Sequence, residues 1–184
     1  MTKVLNQDQI DRLKKAIHDH PFKRHNMHGT HVIGRAQSAP ENADCIQAWK
    51  DLLGPELWND LEKITYPLEN PIIGMVGNIY EEGTYFGLHI DGVFSEEWPE
   101  KGVVSYTNLI VLERSPDLDG GYLVKTDLSL LDTYLTSTIQ FKQTPLELLD
   151  LQEGEMTVWD NTTIHGVTQI KKGHRITLGV GKFG

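Results

Sequence analysis

Apolar residues recur at helical spacing near the start of the chain. Asn6 and Gln9 have the spacing of a capping pair, in which each side chain bonds to the other residue's backbone. The apolar residues that follow at intervals of three and four are Ile10, Leu13 and Ile17. A first helix is therefore predicted here, and Pro21 ends it.

Two further helices are predicted before residue 70. One begins after Asn42 and ends at Gly54, and the next begins at Pro55 and ends before Pro67. Their apolar positions fall on one face of each helix, namely Ile46, Trp49, Leu53, Leu57, Leu61 and Ile64.

The pattern changes at residue 71, where short apolar runs begin to alternate with Gly, Asp and Asn turns. Many short strands with such turns are typical of a sandwich or barrel. We therefore predict a single domain over residues 1–184, with a helical support over 1–70 and a β core over 71–184. Residues 125–150 have no clear period and are compatible with strands, a helical turn or a loop packed on the sheet.

Composition narrows the class of protein. Apolar residues at 39% and charged residues at 23% are ordinary globular values. No apolar run approaches the roughly 20 residues of a membrane-spanning helix, and the N-terminal residues lack the pattern of a signal peptide. Cys45 is the only cysteine, which favours the cytoplasm. A net charge of -9 argues against a nucleic-acid partner, and the oligomeric state is left open.

Two histidines and an aspartate have the pattern of a metal site. On a strand, His89 and Asp91 would face the same side, because alternate residues share a face. His165 lies on a later strand-like segment and supplies a third ligand. Two histidines and one carboxylate leave positions open on the metal and favour iron(II), whereas structural zinc sites usually contain thiolates.

An arginine ten residues after His165 completes the predicted site. Arg175 and Thr177 would share one face of a strand. A guanidinium beside a hydroxyl is suited to hold a carboxylate through paired hydrogen bonds. We therefore expect these two residues to hold the distal carboxylate of a dicarboxylate such as 2-oxoglutarate.

The ordered set of these residues resembles the 2-oxoglutarate/Fe(II) oxygenase superfamily, and within it the prolyl 4-hydroxylase-like branch. The resemblance covers roughly residues 71 to 183. It is carried, in order, by Tyr80, Gly83, His89, Asp91, Gly120, Gly121, Gly154, His165 and Arg175.

This resemblance implies a fold and a reaction. The fold is a double-stranded β-helix, or jelly roll, mainly β with supporting N-terminal helices. The cofactors are iron(II), 2-oxoglutarate and dioxygen, and ascorbate is allowed. The co-substrate becomes succinate and CO2 while an unactivated C–H bond of a peptidyl residue, a free amino acid or a related small molecule is hydroxylated. Tyr80 matches a position that hydrogen-bonds the co-substrate in some relatives, and Asp91 favours a hydroxylase over a halogenase.

Two alternative functions are compatible with the same pattern. One is a nucleic-acid demethylase on this scaffold, although such relatives usually carry a second arginine after the position of Arg175, where only Lys182 follows here. The other is a non-catalytic, cupin-like binding module, although cupins usually draw ligands from a His-x-His pattern. Both therefore rank below the hydroxylase.

Three further features are interpreted more simply. The five histidines between residues 18 and 31 are expected to lie on a solvated loop, with a substrate-contacting loop as the alternative. Trp159 is expected either to border the metal pocket or to pack in the core. The segment that follows Asp91, with Phe94 and Trp98, is expected to cover the site and select the substrate.

Overall fold

The computed structural model describes residues 3–27, 30–36, 43–89, 91, 104–127 and 146–184. In these ranges the helices are α1 (Gln7–Asp19) and α2 (Ala43–Ile64). The strands are β1 (Lys23–Met27), β2 (Thr30–Ala36), β3 (Ile72–Tyr80), β4 (Phe86–His89), β5 (Ser105–Arg114), β6 (Asp119–Gly120), β7 (Leu123–Asp127), β8 (Glu147–Leu149), β9 (Met156–Asp160), β10 (Thr163–Val167), β11 (Ile170–Lys172) and β12 (Arg175–Phe183). Neither of these helices is long and apolar enough to cross a membrane.

Two antiparallel sheets form the body of the protein. The larger has the order β1-β2-β3-β12-β5-β9, and the smaller has the order β4-β10-β7-β8. A short third sheet pairs β11 with β6. The predicted mainly β fold with supporting helices is confirmed.

The hydrophobic core has two parts, one on each face of the larger sheet. On the outer face, α1 and α2 pack against apolar residues of β3, β5 and β12. Between the two sheets lies a second cluster, which includes Leu109 and Val111 from the larger sheet and Leu123 and Val167 from the smaller one. A cavity lies against this second cluster, because Leu109, Leu123 and Val167 belong to the cluster and also line the cavity.

The predicted helices are confirmed, with one difference. The Asn6 side chain accepts from the Gln9 backbone N–H, and the Gln9 side chain accepts from Asn6, which completes the capping box of α1. The second and third predicted helices form one element, α2, with a kink at Gly54, where φ is 71° and ψ is 165°. Pro55 directly follows the kink, so the predicted boundary is present as a bend.

The prediction that residues 1–70 form only a helical support is wrong. This part of the chain also supplies β1 and β2, and β2 pairs with β3 in the larger sheet. The apolar pattern of β2 is short: Val32 and Ile33 are buried on opposite faces, among polar and histidine residues. Burial against a strand some 45 residues later, rather than local periodicity, stabilises this hairpin.

Lys182 fixes β12 to the end of α2. The side chain is fully buried, and its ammonium donates to three backbone carbonyl oxygens. The Nζ–O distances are 2.6 Å to Glu62, 3.0 Å to Thr65 and 3.0 Å to Pro67. The outer face of β12 is thereby joined to the helical layer.

Replacing Gly34 with alanine is expected to destabilise the protein strongly. Gly34 has φ of 60°, and an added Cβ would lie 2.5 Å from the indole nitrogen of Trp49. That indole donates to the Gly34 carbonyl oxygen at 2.8 Å, so neither group can move without losing the bond. Backbone strain and overpacking together should lower the free energy of unfolding by about 2–4 kcal/mol, measured by urea denaturation.

Gly54→Ala is the matched control for this substitution. Gly54 also has a positive φ, of 71°, but an added Cβ would meet no atom within 4 Å. Only backbone strain applies there, and the expected loss is about 1–2 kcal/mol. Equal losses in the two variants would contradict the proposed clash with Trp49.

Candidate functional site

The three predicted metal ligands lie together at one end of the cavity between the sheets. His165 on β10 pairs directly with His89 on β4. Asp91 Oδ1 is 3.5 Å from His89 Nε2, and Asp91 Oδ2 is 3.5 Å from His165 Nε2. In the part of the chain that the structure describes, these residues form the one group of three or more potential metal ligands.

The local geometry of this cluster differs from the prediction in one respect. His89 is the last residue of β4, and Asp91 lies beyond the strand in a turn. The expectation that both residues share one face of a strand is therefore wrong. The turn nevertheless returns the carboxylate to the histidines, and cross-strand pairing brings the rings of His89 and His165 to a centroid distance of 4.2 Å.

Both histidines present the same ring nitrogen to the centre. His89 Nδ1 lies 2.8 Å from the Gly87 carbonyl oxygen, and His165 Nδ1 lies 3.2 Å from that of Thr163. A carbonyl oxygen can only accept, so each Nδ1 carries the proton and each Nε2 offers a lone pair. Burial lowers the pKa of His165 to about 4, although the nearby Asp91 carboxylate raises it. The ring is therefore neutral at pH 7.

Asp91 is ionised under the same conditions. Burial raises the pKa of this carboxyl group, but His89, His165 and the Thr107 hydroxyl together hold the net pKa well below its usual range. Thr107 Oγ1 donates to Asp91 Oδ2 at 2.7 Å, and Trp159 Nε1 donates to the same oxygen at 3.2 Å. The site thus combines two imidazoles with one carboxylate, the donor set that suits iron(II).

Arg175 is 2% exposed at the start of β12. Nη1 donates to the Gly121 carbonyl oxygen, while Nε and Nη2 have no hydrogen-bond partner among the described residues. Burial lowers the pKa of Arg175 to about 10, so the group remains a cation at neutral pH. Two unpaired nitrogen donors on a buried cation are the complement of a carboxylate.

The two other predicted co-substrate residues lie next to Arg175 in the sheet. Tyr80 on β3 is its direct register partner, and burial raises the pKa of the Tyr80 hydroxyl to about 12, which keeps it protonated. Thr177 is fully buried, and its Oγ1 lacks a hydrogen-bond partner in the described structure. The sheet thus brings together all three predicted residues.

Asn78 is a polar residue of this site that the sequence reasoning missed. It is the register partner of Thr177, and its Oδ1 is buried without a hydrogen-bond partner in the described ranges. Asn78 and Tyr80 line a cavity of about 90 Å³, and the three proposed metal ligands line the same cavity. The available signal was their spacing, because residues two apart on β3 face the same side.

The remaining predictions have mixed outcomes. Trp159 borders the cavity, as one of its two interpretations required. Gly120, at the end of β6, and Gly121 both have positive φ, and an added Cβ on Gly120 would lie 2.0 Å from the Gln169 carbonyl oxygen. The segment with Phe94 and Trp98 lies outside the described residues. Of residues 125–150, the two ends form β7 and β8, which pair with each other, and residues 128–145 are not described.

The solvated-loop interpretation of the histidine-rich segment is wrong for part of it. His18 is on α1, and His31 is on β2. His20 is fully buried, with its ring centroid 4.3 Å from that of Trp49, and burial lowers its pKa. At these three positions the segment therefore forms a helix end, a buried side chain and a strand of the larger sheet rather than a solvated loop.

The amino-acid sequence is similar to that of known hydroxylases. No protein-family model matches the chain. A PKHD-type hydroxylase of Saccharophagus degradans is 23% identical over 178 residues, which cover 94% of this chain and 72% of that protein.

Two solved structures share the architecture. An oxidoreductase of the 2OG-Fe(II) oxygenase family from Burkholderia pseudomallei has a TM-score of 0.65 at 15% identity, covering 97% of this chain and 81% of its own. A prolyl hydroxylase from Trichoplax adhaerens, in complex with a peptide fragment of hypoxia inducible factor, has a TM-score of 0.53 at 13% identity, covering 98% and 81%. At these identities the structures establish the fold, and the predicted jelly roll is confirmed.

The expected resemblance to the prolyl 4-hydroxylase-like branch is confirmed by the same comparisons. The Burkholderia pseudomallei neighbour and the His-Asp-His cluster agree with the predicted cofactors, iron(II) and 2-oxoglutarate. The chain is thus an enzyme of the 2-oxoglutarate/Fe(II)-dependent oxygenase type.

Proposed function

We propose that this enzyme binds iron(II) through His89, Asp91 and His165 and hydroxylates an unactivated C–H bond. The observation that carries the proposal is the convergence of these three side chains beside the cavity, with each donor atom within 4.8 Å of the others. The neutral imidazole of His165 and the ionised carboxylate of Asp91 are in the protonation states that ligation requires. Bound iron(II) would supply dioxygen activation, and the protein groups would orient the reactants.

We further propose that Arg175 holds the distal carboxylate of 2-oxoglutarate, with Thr177, Tyr80 and Asn78 as neighbouring polar groups. The support is the set of buried, unpaired atoms described above, since such atoms are rare in a folded protein and each calls for a partner. A carboxylate would accept from Nε and Nη2 of Arg175 as a pair. Pairing of β12 with β3 holds these groups next to one another.

The proposed substrate is a peptidyl residue, a free amino acid or a related small molecule. The peptide class is supported by the Trichoplax adhaerens neighbour, which was solved with a peptide. Apolar side chains dominate the rest of the cavity, including Val32, Phe86, Leu109 and Leu123. Such walls favour an uncharged reacting group near the metal.

The test is oxygen-dependent formation of succinate from 2-oxoglutarate by the iron(II)-loaded protein. A panel of peptides and free amino acids should include members that accelerate succinate release and gain 16 mass units. Loss of succinate formation on removal of iron(II) or oxygen serves as the control. Stimulation by methylated oligonucleotides alone would instead support the demethylase alternative, and a protein that binds metal but never forms succinate would contradict the proposal.

A further inference from the structure

One oxygen of the Asp91 carboxylate receives two hydrogen bonds from a single pair of neighbours. Thr107 on β5 and Trp159 on β9 are direct partners in the antiparallel sheet. Their side chains therefore leave the sheet side by side on one face. Both donate to Asp91 Oδ2, Thr107 from its hydroxyl and Trp159 from its indole N–H.

The other oxygen of the carboxylate is differently placed. Neither of these two bonds ends on Asp91 Oδ1, which lies 3.5 Å from His89 Nε2. Oδ2 thus accepts both hydrogen bonds from the sheet and also lies 3.5 Å from His165 Nε2, whereas Oδ1 accepts neither bond and is directed to His89. Trp159 also packs against His165, another proposed metal ligand. The centroids of the two rings are 4.4 Å apart, and the interplanar angle is 41°.

We infer that Thr107 and Trp159 are positioning residues that restrict Asp91 to binding iron through one oxygen. This inference rests on the proposed function. A carboxylate that binds through both oxygens would occupy a position that 2-oxoglutarate or dioxygen needs, since three open positions are required for these ligands. Partners in the outer shell orient such ligands, and their loss typically weakens metal binding by about 10- to 100-fold.

The test uses substitutions that each remove one donor. Thr107→Val deletes the hydroxyl at nearly constant shape, Thr107→Ser restores it, and Trp159→Phe deletes the indole N–H. The matched controls lie in and beside α2, away from the metal. Thr65→Val removes a hydroxyl that donates to the Leu61 carbonyl oxygen, and Trp58→Phe removes an indole that donates to Glu62.

The probe is Mn²⁺, which is stable in air, titrated into each variant while free ion is followed by electron paramagnetic resonance. Thr107→Val and Trp159→Phe should each raise the dissociation constant by about 10-fold or more, and Thr107→Ser should stay within about 2-fold of wild type. At saturating Mn²⁺, Thr107→Val should also bind 2-oxoglutarate more weakly, because the freed oxygen competes for its position. The metal-free affinity for 2-oxoglutarate should not change, since Arg175 is intact.

Several results would overturn the inference. It fails if Thr107→Val and Trp159→Phe bind Mn²⁺ like wild type while His165→Ala does not, an outcome that leaves the proposed iron site standing. It also fails if the two control variants lose as much affinity, because the effect would then be general destabilisation. Absence of Mn²⁺ binding by wild type would instead overturn the proposed function and this inference with it.

Discussion

His165→Ala should abolish iron binding and, with it, succinate formation. The substitution removes one of three ligands and leaves the fold-forming pairs of β10 with β4 and β7 in the backbone. Because loss of an outer-shell partner alone costs about 10- to 100-fold in affinity, loss of a ligand should exceed about 100-fold. Anaerobic titration with iron(II), followed by isothermal calorimetry, measures this change.

His174→Ala is the matched control for the ligand variant. His174 precedes β12, is half-exposed, and contacts Glu113 on the surface rather than the cavity. Its substitution should leave iron affinity within about 2-fold of wild type, as expected for a surface change. Equal iron affinity in wild type and His165→Ala would exclude His165 from the metal site.

Arg175→Met should uncouple co-substrate binding from metal binding. Loss of two hydrogen bonds to a charged carboxylate, each worth about 1.5–3 kcal/mol, should raise the apparent KM for 2-oxoglutarate by about 100-fold or more. Iron affinity should stay close to wild type, because Arg175 is not among the grouped ligands. Steady-state succinate assays over a wide range of 2-oxoglutarate concentrations measure the first effect, and anaerobic titration measures the second.

The same variant has a second expected property. Arg175 is a buried cation with two unpaired nitrogen donors and one hydrogen bond to the Gly121 carbonyl oxygen, and methionine removes all three at similar length. Unpaired buried donors cost about 1–3 kcal/mol each, and removing two of them should offset the loss of the bond to Gly121, worth about 1.5–3 kcal/mol, so the melting temperature of Arg175→Met should be no lower than that of wild type. A large drop in melting temperature would show that Arg175 supports the fold rather than the co-substrate.

Arg114→Met is the control that tests whether the effect on 2-oxoglutarate binding is specific to Arg175. Arg114 on β5 pairs in register with Arg175 from the other side, but its guanidinium contacts Asp150 and is partly exposed. Its removal should leave the KM for 2-oxoglutarate within a few-fold of wild type, because exposed ion pairs contribute little. A loss as large as that of Arg175→Met would instead indicate a general effect of positive charge.

Local signals in the sequence were sufficient where structure is determined locally. The capping pair of Asn6 and Gln9 and the apolar period after it lie within one helix, so α1 could be predicted with its start. Gly54 and Pro55 likewise marked the bend of α2. The order of His89, His165 and Arg175 predicted the candidate site because each lies on a strand-like segment with a turn nearby.

Contacts between distant strands could not be predicted in this way. Nothing near Thr107 indicates that its hydroxyl meets Asp91, because that contact forms only when the fold brings β5 beside the turn that carries Asp91. Asn78 was missed because a single polar residue in an apolar strand is also compatible with ordinary packing. The two strands β1 and β2 were not predicted, because the segment is mostly polar and histidine residues, and among its described side chains only Val32 and Ile33 are buried and apolar.

The hairpin of β1 and β2 has a consequence for any attempt to shorten this protein. It covers the free side of β3, the strand that carries Asn78 and Tyr80, and it supplies Val32 to the cavity wall. Removal of residues 1–70 would turn β3 into an exposed edge strand with unpaired N–H and C=O groups, which is a template for aggregation. The boundary drawn at residue 70 therefore divides a continuous sheet, and a jelly-roll core cut there would be open to pairing with other chains.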